Sequence, residues 1–510
     1  MLRQLTKSVA VAAVAGSGGF VVQKSGLVDV KSTGIFRFGR AALFITGIGW
    51  DYKKTLKGLD TESEEYVVIK SKLHLRSAEK LRELCCLNGG CFIKVGQHLG
   101  ALDYLLPPEY VSTLKVLHSD APQTPVNRLQ KVIKEDLGKD VDELFTSFEN
   151  EPLGAASLAQ VHKATLKDGR VVAVKIQHPD VQSHAAIDMK CMEILVKAVA
   201  WAFPEFQFMW LAEETKKNLP KELDFLHEGR NCEKMGKMFS RFTFLKVPKI
   251  YWDLSTKRIL TMEFCEGGKV NDREYMDRHG ISVNEVSSKL GKLYSEMIFV
   301  KGYIHCDPHP GNVLVHKTNQ GTKLVLLDHG LYQTLTDEFR ISYCHLWTSI
   351  INADVNGIKH YADKMGCGHV FGLFACVLTA RSWEAVSAGV NKTNFTEAEG
   401  DEIKSEASRY LPEIADILNS VPREMLLILK TNDLLRGIES VLRTRASSSS
   451  FITMAKCCTR AVANYDQMLC NSWTSRFRIS VRLQWSLLKI QIYELFLYAR
   501  TLISRKNTLL

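Results

Sequence analysis

Three short stretches carry residue types that can hold and move a phosphoryl group. His305-Cys306-Asp307-Pro308-His309-Pro310-Gly311-Asn312 sets an aspartate and an asparagine at opposite ends of one tight loop. Asp328-His329-Gly330 follows an apolar run, and Lys175 ends the β-branched run Val172-Ala173-Val174. Phosphoryl transfer is largely a matter of holding charges in place. It asks for a strand lysine on the α- and β-phosphates and an aspartate that orients the attacking group. It also asks for an Asn and an Asp on the metal. Lys175, Asp307, Asn312 and Asp328 stand in that order. An apolar strand ending in lysine is common; the three motifs together, in order and with suitable gaps, are not a chance pattern.

The elements that must position these groups read from periodicity. Val171–Ile176 and Ile259–Phe264 are continuous apolar runs and predict buried strands. Residues 181–239 between them predict helix. A short strand pair is expected at Asn312–His316 and Lys323–Leu327. Residues 62–144 predict helices broken by Pro107-Pro108 and by Pro122 to Pro125, and from Asp337 onward the chain predicts helix almost throughout. Ser447–Ser450 is expected as a linker. Strands first, then helices, with the loop motif at the junction, is an α+β order and that of a two-lobed, protein-kinase-like fold.

Three features depart from ordinary kinases. No Gly-x-Gly-x-x-Gly loop precedes Lys175; residues 154–162 read Gly-Ala-Ala-Ser-Leu-Ala-Gln-Val-His. The segment from Lys175 to the next candidate glutamate helix is long, and no Ala-Pro-Glu follows Asp328. Lys94-Val95-Gly96-Gln97 and Glu222-Leu223-Asp224 supply a Lys-x-Gly-Gln and a Glu-x-Asp motif. In these features the chain resembles the UbiB/aarF family of atypical kinases, and a mitochondrial branch of it most.

The resemblance implies Mg²⁺ and ATP as cofactors, a mitochondrial membrane setting, and a link to lipid or quinone biology. It puts Glu228 where the family carries the helix glutamate that pairs with Lys175. The catalytic set is then Asp307, Lys175 and Glu228, and the metal set Asn312 and Asp328. Nucleotide contacts are expected from Gly154, Ala155, Ala156, Ser157, Lys175, Met262 and Glu263. Alanine in place of glycine restores a Cβ and stiffens the loop. Lys94 and Gln97 lie three apart and share a helix face. The family pattern puts that face over the cleft as a gate, within reach of Glu222 and Asp224. An ATPase or a small-molecule or lipid phosphotransferase is favoured. A nucleotide-binding scaffold without turnover is the alternative, and the missing docking segment disfavours a conventional protein kinase.

The chain ends carry their own signals. Arg3, Lys7 and Lys24 precede the first acid, Asp29, which fits a mitochondrial presequence better than a secretory signal built on Val9–Ala15. Thirteen cysteines, odd in number and scattered, argue for a reducing compartment and against a disulfide framework or a cysteine metal site. Asn391 and Asn394 match a glycosylation triplet that would stay bare in a protein that is not secreted. The overall charge is +10, and residues 451–510 hold nine Lys/Arg against two acids. A basic end meets anionic lipid or nucleic acid; no zinc-finger spacing or RNA-binding motif accompanies it, so lipid is favoured over nucleic acid. Val481–Ile503 predicts an amphipathic helix, lying on a membrane or on the kinase-like domain. Residues 35–50 are apolar but too short and too charged for a membrane span. The expected organisation is a targeting segment (1–30), a helical extension (31–150), a small lobe (151–266), a large lobe (267–445) and a basic helical C-terminus (446–510).

Overall fold

The computed structural model describes residues 34–60, 63–100, 106–118, 122–202, 209–379, 381–388, 421–443 and 447–507. The basic N-terminal segment 1–30 and both Asn-x-Thr triplets lie outside them. The chain divides into two compact units. Unit 1 takes the described residues up to Phe239, then Val247–Cys265 and Asp328–Leu331; unit 2 takes Ser240–Lys246, Glu266–Leu327 and the chain from Tyr332 onward.

Counting helices of eight or more residues, unit 1 contains α1 (Gly34–Thr55), α2 (Glu64–Asn88), α3 (Cys91–Gly100), α4 (Pro108–Lys115), α5 (Val126–Leu137), α6 (Val181–Ala202), α7 (Met209–Glu222) and α8 (Phe225–Met238). Its sheet is antiparallel, in the order β1 (Phe145–Phe148), β3 (Ala159–Leu166), β4 (Val171–Gln177), β6 (Ile259–Glu263), with β2 (Gly154–Ala155) hydrogen-bonded to β3. Alternation along β4 decides which side chain meets what, because successive residues point to opposite faces. Val172, Val174 and Ile176 join Leu129, Val132 and Ile133 of α5 in one core. Ala173 joins Phe225 and Cys232 of α8 in another, on the face that Lys175 and Gln177 share with it. Gln177 fixes this edge, its Nε2 donating to the carbonyls of Leu223 (2.8 Å) and Lys257 (3.1 Å).

Helix α8 starts at Asp224, whose carboxylate accepts from the Leu226 N–H at 3.1 Å as an N-cap. Gly229 lets it approach the sheet: a Cβ there would lie 2.7 Å from the Trp252 ring and 3.3 Å from Leu260. The helices of the extension pack against α6 and α7 through Ala41, Leu84, Phe92, Val181, Met192 and Leu219. Arg37 and Asp188 form a buried ion pair among them, with Arg37 also donating to the Asn88 carbonyl.

Unit 2 has a second sheet, ordered β5 (Leu245–Lys246), β10 (Gly321–Leu326), β9 (Val313–Thr318), β7 (Gly268–Lys269), and a separate pair of β8 (Tyr303–His305) with β11 (Tyr332–Thr334). Its helices are α9 (Val283–Ser295), running into a π-turn at Glu296–Lys301, then α10 (Asp337–Ile351), α11 (Val355–Lys364), α12 (Phe371–Thr379), α13 (Arg423–Leu442), α14 (Ser447–Leu469) and α15 (Trp473–Asn507). Tyr294, Phe299, Tyr343, Ile428 and Cys458 are buried in its helical core. α14 packs on α9 and α10, and α15 packs on α14.

Several local expectations need correction. Ser447–Ser450 is the first turn of α14 and not a linker; serine suits the start of a helix, where backbone N–H groups lack intrahelical acceptors. The helical expectation for residues 181–239, by contrast, is met by α6, α7 and α8. Most of the stretch 154–162 is strand: β2 and β3 flank a turn at residues 156–158. Its polar residues hid the strand, yet Gln160 and His162 are buried and bonded to each other at 2.9 Å. Asn312 precedes its strand, in a turn closed by its N–H on the His309 carbonyl at 2.7 Å.

Candidate active site

The sequence-predicted residues fall into two groups, one in each unit. In unit 1, Lys175 extends from the α8-facing side of β4. Its Nζ donates to both carboxylate oxygens of Glu228 (2.7 and 2.9 Å) and to Asp328 Oδ2 (3.1 Å), 5.0 Å from the centroid of the Phe225 ring. Glu228 is one helical turn past the Asp224 cap, so α8 aims it at β4. Burial works to lower the Lys175 ammonium, but the Asp328 and Glu228 carboxylates overcome it and hold the group protonated, above the usual lysine range. Burial also raises the Glu228 carboxyl, against the pull of Lys175 and with a further push from Asp328.

The segment after Asp328 is tied to the same helix. The Asn231 amide donates to the His329 carbonyl (3.1 Å), and the His329 N–H reaches Glu228 Oε1 (3.4 Å). Gly330 N–H donates to Asp328 Oδ1 at 2.9 Å, and a Cβ on Gly330 would lie 3.2 Å from that oxygen and 3.9 Å from Glu228 Oε2. Glycine therefore lets the backbone sit over the carboxylates. His329 is itself buried, so histidine in place of the usual phenylalanine is accommodated.

The expected nucleotide loop is a pinned hairpin. Ala156 N–H donates to the Ala159 carbonyl at 2.8 Å, and the Ala156 carbonyl accepts from His178 Nε2 at 3.0 Å. Thr124 Oγ1 lies 2.7 Å from the other nitrogen of His178. Gly154 and Ala156 are exposed, Ala155 half-buried and Ser157 buried. Met262 and Glu263 end strand β6, and the structure places their side chains as follows. Met262 packs with Phe225 and Leu260, and Glu263 Oε2 accepts from the Lys249 N–H at 3.2 Å.

The expected gate is narrower than the motifs suggested. Lys94 and Glu222 form a largely buried ion pair at 2.6 Å. Gln97, by contrast, donates from Nε2 to the Leu117 carbonyl at 3.0 Å, and Asp224 is the α8 cap. Gly96 lets α3 press on the turn after α4, which turns Gln97 toward that turn and away from the acids: a Cβ on Gly96 would lie 2.5 Å from Leu117.

In unit 2, Asp307 and Asn312 close the loop on themselves. Asn312 Nδ2 donates to the Asp307 carbonyl at 3.1 Å and approaches Asp307 Oδ2 at 3.5 Å. The Asn312 carbonyl accepts from the Leu327 N–H (3.0 Å), and Asp328 is the next residue in the chain. His309 Nδ1 accepts from the Gly311 N–H at 3.2 Å, and buried His305 lies 3.0 Å from the Tyr294 hydroxyl; both shape the loop.

A sequence profile of the ABC1 atypical kinase-like domain matches residues 116–362. AarF domain-containing protein kinase 1 of Gallus gallus is 56% identical over 502 residues, covering 98% of this chain and 96% of that protein. Its counterpart in Mus musculus is 56% identical over 96% of this chain and 94% of its own length. AarF domain-containing kinase 1 of Drosophila melanogaster is 50% identical, covering 92% of both chains. The chain belongs to the ABC1/aarF family of atypical kinases. Its fold is accordingly kinase-like, with mixed helix and sheet.

The donors present in this ABC1/aarF chain suit the cofactors expected for it. Mg²⁺ takes hard oxygen donors and keeps several waters. Asp328 offers a half-exposed carboxylate, and Asn312 offers an amide oxygen whose geminal nitrogen is already committed to Asp307. Among the described residues no cluster of three or more His, Cys, Asp or Glu side chains could hold an ion by itself, so at either residue phosphate oxygens and water would have to supply most of a shell. Motif reading missed Lys430, whose Nζ lies 3.2 Å from Asp307 Oδ1. Only its place directly after the apolar run Leu426-Leu427-Ile428-Leu429 gave a signal.

Proposed function

We propose that this chain is an Mg·ATP-dependent phosphotransferase or ATPase that works at a mitochondrial membrane on a small or lipid-like acceptor. The observation that carries the reading is the Lys175–Glu228–Asp328 cluster. A strand lysine is held extended by a helix glutamate, beside an aspartate suited to a metal. Lys175 would bind the α- and β-phosphates, Asn312 and Asp328 would hold Mg²⁺, and Asp307 would orient the attacking oxygen. Bound Mg²⁺ would neutralise charge developing on the phosphates.

The membrane setting is supported by α15. Trp473, Phe477, Val481, Trp485, Leu488, Ile492 and Leu495 recur every three or four residues and are all exposed. Arg478, Arg482 and Lys489 flank this stripe, with Lys489 Nζ 5.6 Å from the centroid of the Trp485 ring. An apolar face edged by cations and tryptophan suits the surface of an anionic bilayer. Among the described residues no helix is long and apolar enough to cross a membrane. A quinone-related or other lipid acceptor would reach the site from that surface.

ATP turnover by the purified full-length protein, with and without vesicles containing an anionic phospholipid, tests the reading. Turnover stimulated by anionic vesicles supports it. Mg·ATP binding without turnover under either condition would favour the scaffold alternative.

A further inference from the structure

A lysine in a helical core needs a partner, because an unpaired buried charge is costly. Lys430 is on α13, among the buried residues Met425, Ile428, Leu429 and Thr431. On the same helix Asp433, three residues on, pairs with Arg436 at 2.9 Å. Lys430 instead reaches Asp307, 123 residues earlier, at 3.2 Å from Oδ1, with both side chains largely shielded from solvent. No lysine or arginine stands between Asp307 and Asn312. The loop thus contributes an anion without a lysine or arginine of its own, and a distant helix contributes the cation.

We propose that Lys430 is a positioning residue for Asp307, supplying from α13 the fixed positive charge that the loop lacks. The Asp307 carboxylate is then pinned on both sides, by Lys430 at Oδ1 and by Asn312 Nδ2 at Oδ2. Pinning matters because an aspartate that orients an attacking hydroxyl or water must hold one rotamer while the reacting atoms align. Lysine is a compact point charge, suited to facing a single carboxylate oxygen. Lys430 also lies beyond residue 362, where the matched domain ends. The C-terminal helices would therefore complete the catalytic loop as well as the core. This inference rests on the phosphoryl-transfer reading above.

The experiment uses the full-length protein and three variants, Lys430→Met, Lys430→Arg and Lys430→Ala. For each, kcat for ATP turnover is measured beside the equilibrium Kd for Mg·ATP. Lys430→Met should lower kcat on the order of 100-fold, the size seen when one preorganised charge is removed from a reacting centre, with Kd changed less than about twofold. Lys430→Arg should recover much of that loss. Lys430→Ala should be rescued, saturably, by added ethylammonium, which a purely structural role would not allow. Unchanged or faster turnover in Lys430→Met, or a loss that neither arginine nor ethylammonium restores, would overturn the assignment. A wild-type protein that binds Mg·ATP but never turns it over would instead remove the reading beneath it.

Discussion

Lys94 and Glu222 form an ion pair at 2.6 Å with only 14% and 8% of their side chains exposed, joining α3 to the end of α7. Removing the lysine leaves a shielded carboxylate without its cation. Lys94→Ala should therefore destabilise unit 1 by about 3 kcal/mol, the cost of breaking a buried pair from one side, measured by urea unfolding. Glu222→Gln should cost less, since the amide still accepts from Lys94. If the extension restricts access to the site, Lys94→Ala will also raise phosphate incorporation into the protein itself; equal incorporation in mutant and wild type would show that it does not.

Asp328→Asn removes the carboxylate from Lys175 and from the metal but leaves Lys175 bonded to Glu228. Mg·ATP affinity should fall roughly 10- to 100-fold, the equivalent of one charged hydrogen bond, in a protein of unchanged circular dichroism. Unchanged affinity in the folded variant would remove Asp328 from the metal set.

Glu228 carries a pH signature. Burial pushes its carboxyl up from 4.5 to about 7, so the folded form binds that proton more tightly than the unfolded chain does. From this group, stability is greatest at the acid end, falls as pH rises from about 4.5 to 7, and is level above. Glu228→Gln should flatten that slope in a series of unfolding midpoints between pH 5 and 8. A slope identical in the variant would mean that the group titrates in its ordinary range.

Ala156 is bonded through both its N–H and its carbonyl. Ala156→Gly keeps those bonds while adding backbone freedom, at about 0.5–1 kcal/mol of stability. Nucleotide affinity, or the preference between ATP and ADP, should shift, as read by titration calorimetry. If both affinities stay put, the alanine serves packing alone.

Trp485 and Ile492 are both exposed on α15. Trp485→Glu/Ile492→Glu should weaken sedimentation with anionic vesicles roughly tenfold or more, given ~1.5–3 kcal/mol for each large apolar side chain buried, and leave the fold intact. Truncation after Ser475 should do the same, and added salt should weaken wild-type binding. Binding indifferent to all three would place the stripe against protein.

The sequence by itself determined the chemical groups and their order. A β-branched run had to be strand β4, and its alternation had to put Lys175 on the face opposite Val174 and Ile176. The spacing from Asp307 to Asn312 had to close one loop, and the Lys-x-Gly-Gln and Glu-x-Asp motifs pointed to the family. These signals are local, because periodicity and turn chemistry act over a few residues. Only the tertiary structure decided which groups meet. Lys94 and Gln97 share a sequence motif, yet Gly96 lets α3 sit so close to Leu117 that Gln97 is drawn to a carbonyl while Lys94 reaches Glu222. Gln160 and His162 made β3 look like loop until burial supplied each with a partner. Lys430 and Asp307 are 123 residues apart, and nothing between them records the pairing. Such contacts arise when packed helices and sheets close long loops and bring a shielded charge to a partner, a condition set by the whole core and by no single segment of the chain.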